Sequence, residues 1–181
     1  KVTTSPSMDI LVSSNLERLI FHLLGNDAAK TKDLMEKLVS EGEYTLSGAN
    51  QAILDMFEAG FATEAETSAE IKRVYDACDY VEDPHTAVAS AVYQKYVERT
   101  GDQTPTVIAS TASPYKFPRV AVEAVSGQAP ADDFAAVKEL EKLSGVAIPK
   151  AVNGLETAEV RHKTVVATSD MQKAVEDYLG L

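Results

Sequence analysis

The chain alternates short apolar stripes with polar stops, and the spacing inside most stripes is helical. Leu16, Leu19, Ile20, Leu23 and Leu24 fall at i, i+3, i+4, i+7 and i+8, one face of an amphipathic helix. Ser13, Ser14 or Asn15 can cap its start, and Gly25-Asn26 supplies a stop. A second helix is predicted over about 28–40, with Leu34, Met35, Leu38 and Val39 inward and Gly42 as the break. A third, about 46–59, carries Ile53, Leu54 and Phe57 and stops at Gly60. A fourth, about 64–77, opens with Thr63 and Glu66 in a capping-box pattern and turns Ile71, Val74 and Tyr75 inward. Asp83-Pro84 starts a fifth, running to about Arg99 with Val88, Ala91, Val92 and Tyr96 buried. Further helices are expected near 118–126, over about 131–143 (Phe134, Val137, Leu140 and Leu143 on one face) and from a Ser169 cap to about Leu179.

Few stretches have strand character. Residues 1–15 start extended, pass a Ser-Pro turn signal and end in an apolar burst at Ile10, Leu11 and Val12. Phe61-Ala62 reads as a short strand, and Val165–Ala167 as strand or turn; 144–163 reads as irregular. Thr106, Val107, Ile108 and Ala109 form a β-rich run that reads as a buried strand ending in Ser110-Thr111-Ala112-Ser113-Pro114. A buried strand needs neighbours for its N–H and C=O groups. Either further strands go unrecognised here, or the partners lie in sequence that is absent. No internal repeat or low-complexity linker divides the chain.

Composition narrows the class. The chain has 181 residues, 45% of them apolar and 25% charged, enough to bury a core. Cys78 is the sole cysteine, which excludes a disulfide scaffold and fits a reducing, cytoplasmic compartment. No apolar run approaches the roughly 20 residues that span a bilayer. A net charge of −11 disfavours non-specific binding to nucleic acid. There is no secretory-signal pattern at the start. The first residue is Lys rather than Met, so the expectation is a chain trimmed, processed or cut from something longer.

Most familiar catalytic patterns are missing. His22, His85 and His162 show no metal-ligand spacing, and no nucleophile elbow, Walker loop or dinucleotide fingerprint occurs. Cys78 reads as a structural thiol, and the Glu64/Glu66 and Asp132/Asp133 pairs as helix N-terminal charges. Two segments stand apart. DPHTAVA at 83–89 places His and Thr, followed by small residues, in a first helical turn, where something large can approach the backbone. STASPYKF at 110–117 would place Thr111 at the C-terminal end of a buried strand, where α/β sheets hold ligands.

Read in order, SPSMDI at 5–10, SSNLERLIF at 13–21, DPHTAVA at 83–89 and STASPYKF at 110–117 resemble the threonine synthases, as does the tail with His162-Lys163-Thr164. The resemblance covers essentially the whole chain, and four motifs in register make it specific. It implies a helix-rich α/β segment of the tryptophan synthase β-like fold (fold type II), with few strands of its own. Residues 1–181 would be the C-terminal segment of the catalytic large domain, with a helical insertion at about 26–80 and a helical tail at about 130–181. It implies a pyridoxal-phosphate lyase that converts O-phosphohomoserine and water to threonine and phosphate. The family's Schiff-base lysine lies in a motif of the type S-x-D-N-F-K, and its cofactor-phosphate loop is rich in Gly and Asn. Neither is present here, so the expected chain is a C-terminal fragment, inactive alone and without stably bound cofactor.

The resemblance also assigns residues. Thr111 matches the hydroxyl that faces the pyridine nitrogen, to which it can donate without protonating the ring. Asp83 and Pro84 match an acidic-Pro helix start beside the cofactor ring, where a plain structural cap is the competing reading. His85 is a candidate for the substrate region. Ser13, Ser14 and Asn15 are candidates for the substrate or its phosphate, against simple N-capping. Lys116 reads as structural rather than as the Schiff-base lysine, and Tyr115 and Phe117 as core. The negative net charge decides little, because anion sites are built from local N–H groups and a few cations. Two other readings stay open: another fold type II pyridoxal-phosphate lyase, and a stand-alone, non-catalytic helical interaction module derived from this fold. Apolar surface left by a missing half predicts a homodimer or rearranged strand pairing.

Overall fold

A computed structural model describes residues 2–10 and 12–181; Leu11 of the apolar burst lies outside the described residues. The chain divides into two compact units, Lys1–Ile148 and Pro149–Leu181. Among the described residues there are eight α-helices and no β-strand.

The first unit opens with a single 3-10 turn, Pro6–Met8. Helix α1 (Ser14–Leu23) is capped by Ser13, whose side chain accepts from the Leu16 N–H, and α2 (Ala28–Glu41) by Asp27. Between them the chain reverses through Gly25 and Asn26, both in the left-handed region, which glycine and asparagine tolerate best. Ile20, Leu24 and Leu34 bury against one another, with Met35, Tyr44 and Leu46 packed alongside. The helix expected over about 46–59 shrinks to α3 (Gln51–Leu54). Gly48 takes a left-handed φ, and Asn50 caps from its own side chain, so no helix can begin at 46. Met56 and Phe57 stay exposed, and a short helix with an unburied face does not propagate.

Helix α4 (Glu64–Cys78) forms the expected capping box: the Thr63 N–H donates to Glu66 Oε2 (2.7 Å), and the Glu66 N–H to Thr63 Oγ1 (3.3 Å). Ile71 on its inner face is fully buried, whereas Val74 and Tyr75 are half-buried. Helix α5 (Pro84–Thr100) follows, and α4 packs against both α5 and α6 (Pro118–Ser126). Helix α7 (Asp133–Ser144) closes on α6 through Val137 and Leu140; Phe134 on its expected inner face is partly exposed.

Two expected strands are absent here. Phe61-Ala62 has no strand partner; the Phe61 ring is 76% exposed beneath the Lys95 ammonium, and Lys95 Nζ donates to the Phe61 carbonyl (3.0 Å). Thr106–Ala109 is not a buried strand either: Val107 is 94% exposed and Thr111 is exposed. A β-rich run becomes a strand only when another backbone takes up its N–H and C=O groups, and no described segment does so.

In the second unit, a turn at Leu155–Thr157 and another at Thr168–Asp170 precede α8 (Met171–Leu179). Ser169 does not cap this helix; the turn runs directly into it, and the Ser169 hydroxyl donates to Asp170 Oδ1 (3.2 Å). Val165–Ala167 forms no strand.

Candidate functional site

Three of the four motif segments meet at the N-terminus of α5. Asp83 caps this helix, and its side chain is wholly buried. Its Oδ1 accepts from the backbone N–H groups of His85 (2.9 Å) and Thr86 (3.4 Å), which otherwise have no partner in a first helical turn. Oδ1 also lies 3.1 Å from His85 Nδ1, and Oδ2 accepts the Thr86 hydroxyl proton. A carboxylate at a helix N-terminus also gains from the helix dipole. Pro84 fits at the first helical position because no N–H is needed there.

The His85 ring is engaged on both nitrogens. Its Nε2 accepts the backbone N–H of Ser7 at 3.3 Å, so the ring proton sits on Nδ1 and points to Asp83. The ring also packs tilted against Phe117, centroids 4.7 Å apart. His85 therefore joins the SPSMDI turn, the start of α5 and the end of STASPYKF. The Thr86 hydroxyl has one proton and gives it to Asp83, so it can only accept from Ser110, whose Oγ is 3.1 Å away. That contact pins the start of STASPYKF to α5. Tyr115 is buried and its hydroxyl donates to the Val146 carbonyl, consistent with a core role.

Thr111 follows Ser110 directly and differs from it. It is exposed, and its hydroxyl makes no side-chain hydrogen bond among the described residues. Lys116 is exposed in the turn Pro114–Lys116. Ser13, Ser14 and Asn15 lie at the start of α1, and among the described residues no hydrogen bond or ring contact ties them to the Asp83 cluster. Ser13 caps α1, and Asn15 Oδ1 accepts from Arg18. Ser14 is exposed and lines a groove of about 790 Å³ between α1 and α2, with Phe21, Met35 and Val39.

Residues the motifs did not single out complete the cluster. Ser7, Thr86 and Ser110 lie inside quoted motifs, but their pairing requires the fold. Glu82, Glu70 and Ser90 had no signal of their own. Glu70 is buried; Arg73 donates to it twice (2.8 and 2.7 Å), and Ser90 donates to the same carboxylate. The Arg73 guanidinium holds the Glu70 carboxyl below its ordinary value despite burial. No group of three or more metal-ligating side chains forms among the described residues, and no described helix is long and apolar enough to cross a membrane.

Over 143 residues the chain is 38% identical to the threonine synthase of Corynebacterium glutamicum, covering 76% of this chain and 29% of that protein. It is 31% identical over 178 residues to threonine synthase of Saccharomyces cerevisiae, covering 87% of this chain and 34% of the relative. The crystal structure of a PLP-bound threonine synthase from Brucella melitensis superposes with a TM-score of 0.61 at 39% identity, covering 78% of this chain and 30% of that one. The chain thus spans about a third or less of the length of these relatives. Residues 86–178, more than half of the chain, match the family described as "Threonine synthase, C-terminal". The match begins at Thr86, inside the cluster that gathers the three motifs, and the chain belongs to the threonine synthase family, of which it carries the C-terminal part.

Proposed function

We propose that a complete protein carrying this chain converts O-phosphohomoserine and water to threonine and phosphate with pyridoxal phosphate, in the cytoplasm. This chain would supply the C-terminal part of the wall around the cofactor. The observation that supports the reading most is the convergence of 5–10, 83–89 and 110–117 on the first turn of α5, held by the Ser7–His85 and Thr86–Ser110 contacts.

The residues present fit the cofactor in one specific respect. The Thr111 hydroxyl is exposed and available, next to a neighbour that is pinned. Bound, pyridoxal phosphate supplies an electron sink for charge that develops on the amino-acid carbon. Thr111 would hold the pyridine nitrogen by donating to it and would leave it neutral, a hydrogen bond contributing about 0.5–1.5 kcal/mol, so it would tune the ring more than bind it. Asp83 and Pro84 would act by position: with both Asp83 oxygens engaged inside the cluster, they fix the start of α5, which would lie beside the ring. His85 bears on the substrate region through the Ser7 turn that it holds, since both of its nitrogens are engaged. Ser14 and Asn15, exposed at the start of α1, are the groups offered to the substrate phosphate, while Ser13 serves the cap. In the chain by itself, the exposed apolar run around Val107 favours pairing of two copies.

The test is threonine and phosphate formation from O-phosphohomoserine by the complete protein and by its Thr111→Val and Thr111→Ser variants. The expected result is turnover in the parent, a lowered kcat in Thr111→Val and recovery in Thr111→Ser. The chain alone should release no phosphate, because the lysine motif is not in its sequence. Absence of threonine formation by the complete protein would overturn the reading.

A further inference from the structure

Immediately before the Asp83 cap lies an acidic residue that the proposed chemistry does not use. Glu82 is 5% exposed, and its Oε2 has no hydrogen-bond partner. Glu70 and Arg73 face it from α4, Ser90 from α5, and Asp83 from its own segment. The donors around it are drawn mainly to Glu70, with Ser90 shared between Glu70 and Glu82. Arg73 donates through two nitrogens to Glu70, and Ser90 donates to Glu70 as well. Asp83 is satisfied by His85 and Thr86. Glu82 is therefore buried beside two other carboxylates, each with its own donors, while one of its own oxygens meets none. An ionised carboxylate in that setting is costly, and taking up a proton is the cheaper state.

We propose that Glu82 is a proton-carrying positioning residue at the α4–α5 junction: neutral, it packs there; ionised, it repels Glu70 and Asp83 and loosens the cap that holds the start of α5. Desolvation, then the Glu70 charge and more weakly that of Asp83, push its carboxyl up to about 7, with Arg73 and Ser90 pulling the other way. The step is uptake of one solvent proton by the carboxylate and nothing else. Because the folded-state value lies above the ordinary 4.5, the folded chain binds the proton more tightly than the unfolded one. The resulting stabilisation is full below about pH 4.5, falls as pH rises towards about 7, and is gone above it. This inference does not depend on which reaction the complete protein carries out.

The test is a carbon-13 titration of the glutamate carboxyls in this chain, with backbone assignment, on the parent and on Glu82→Gln. The expected result is a Glu82 resonance titrating near pH 7, with the His85 and Thr86 amides following the same midpoint. Glu82→Gln should lose that component of the amide shifts. Thermal unfolding supplies a second readout: the melting temperature of Glu82→Gln minus that of the parent should rise between about pH 5 and about pH 7. Titration of Glu82 near its ordinary value, amides that do not follow it, or a melting difference independent of pH would each overturn the proposal. If Glu82→Gln does not fold, the parent's Glu82 resonance and its two amides still decide.

Discussion

The Ser7 backbone N–H donates to His85 Nε2 across 78 positions of sequence, at 3.3 Å. That bond places the ring proton on Nδ1, facing Asp83, and makes one imidazole the joint between the N-terminal turn and α5. A residue in the middle of a conspicuous motif is thereby used as structure, with its neighbour's carboxylate as the orienting group.

Replacing His85 by Ala should release the turn Pro6–Met8 from α5 and leave Asp83 with fewer donors. The expected loss is about 1–3 kcal/mol of unfolding free energy, the cost of breaking a buried polar network. Urea unfolding measures it, and amide exchange at Ser7 should quicken in the variant. Unchanged Ser7 exchange would argue that the turn is held by other contacts.

Thr86 gives its hydroxyl proton to a buried carboxylate and receives one from Ser110. Thr86→Val keeps the shape and removes both links, and should cost about 1.5–3 kcal/mol, the range for hydrogen bonds to charged groups. Thr86→Ser should restore most of it. Equal stability of the Val and Ser variants would show that the hydroxyl contributes nothing.

Gly60 is required by close approach. A Cβ built there would lie 2.6 Å from Val92 Cγ1 on α5, and a β-branched neighbour has little freedom to yield. Gly60→Ala should destabilise by about 1–3 kcal/mol through overpacking. A melting temperature equal to that of the parent would mean that the 58–62 segment moves aside without cost.

Acid should dissolve one of the links between α4 and α5. The Lys95 ammonium, together with the Thr63 N–H and hydroxyl, holds the Glu66 carboxyl down at about 2, below its ordinary 4.5. A depressed carboxylate stabilises the fold above its unfolded value, and that contribution is lost as pH falls from about 4.5 to about 2. The melting difference between the parent and Glu66→Gln should therefore be largest near neutrality and shrink through that window. A difference that persists undiminished at low pH would contradict it.

The helical elements were legible because their signals are local. Apolar spacing, the Thr63–Glu66 box and the Asp83-Pro84 start each depend on residues within one or two turns, and α1, α2 and α4 to α8 all form close to where the pattern puts them. The failures share one cause. The stretch 46–59 has helical spacing but no surface to bury Met56 and Phe57. Thr106–Ala109 has strand chemistry, but a strand is a relation between two backbones, and the second is not among the described residues.

The sequence by itself determined the family, most of the helix caps though not that of α8, and the motif residues brought to the site. Only the tertiary structure decided that Ser7, His85, Thr86 and Ser110 meet, that His85 carries its proton on Nδ1, and that Glu82 is buried with an unsatisfied oxygen. The physical reason is range. Capping and periodicity act over three or four residues. Burial and hydrogen-bond partners across 24 or 78 positions exist only once the chain has closed on itself.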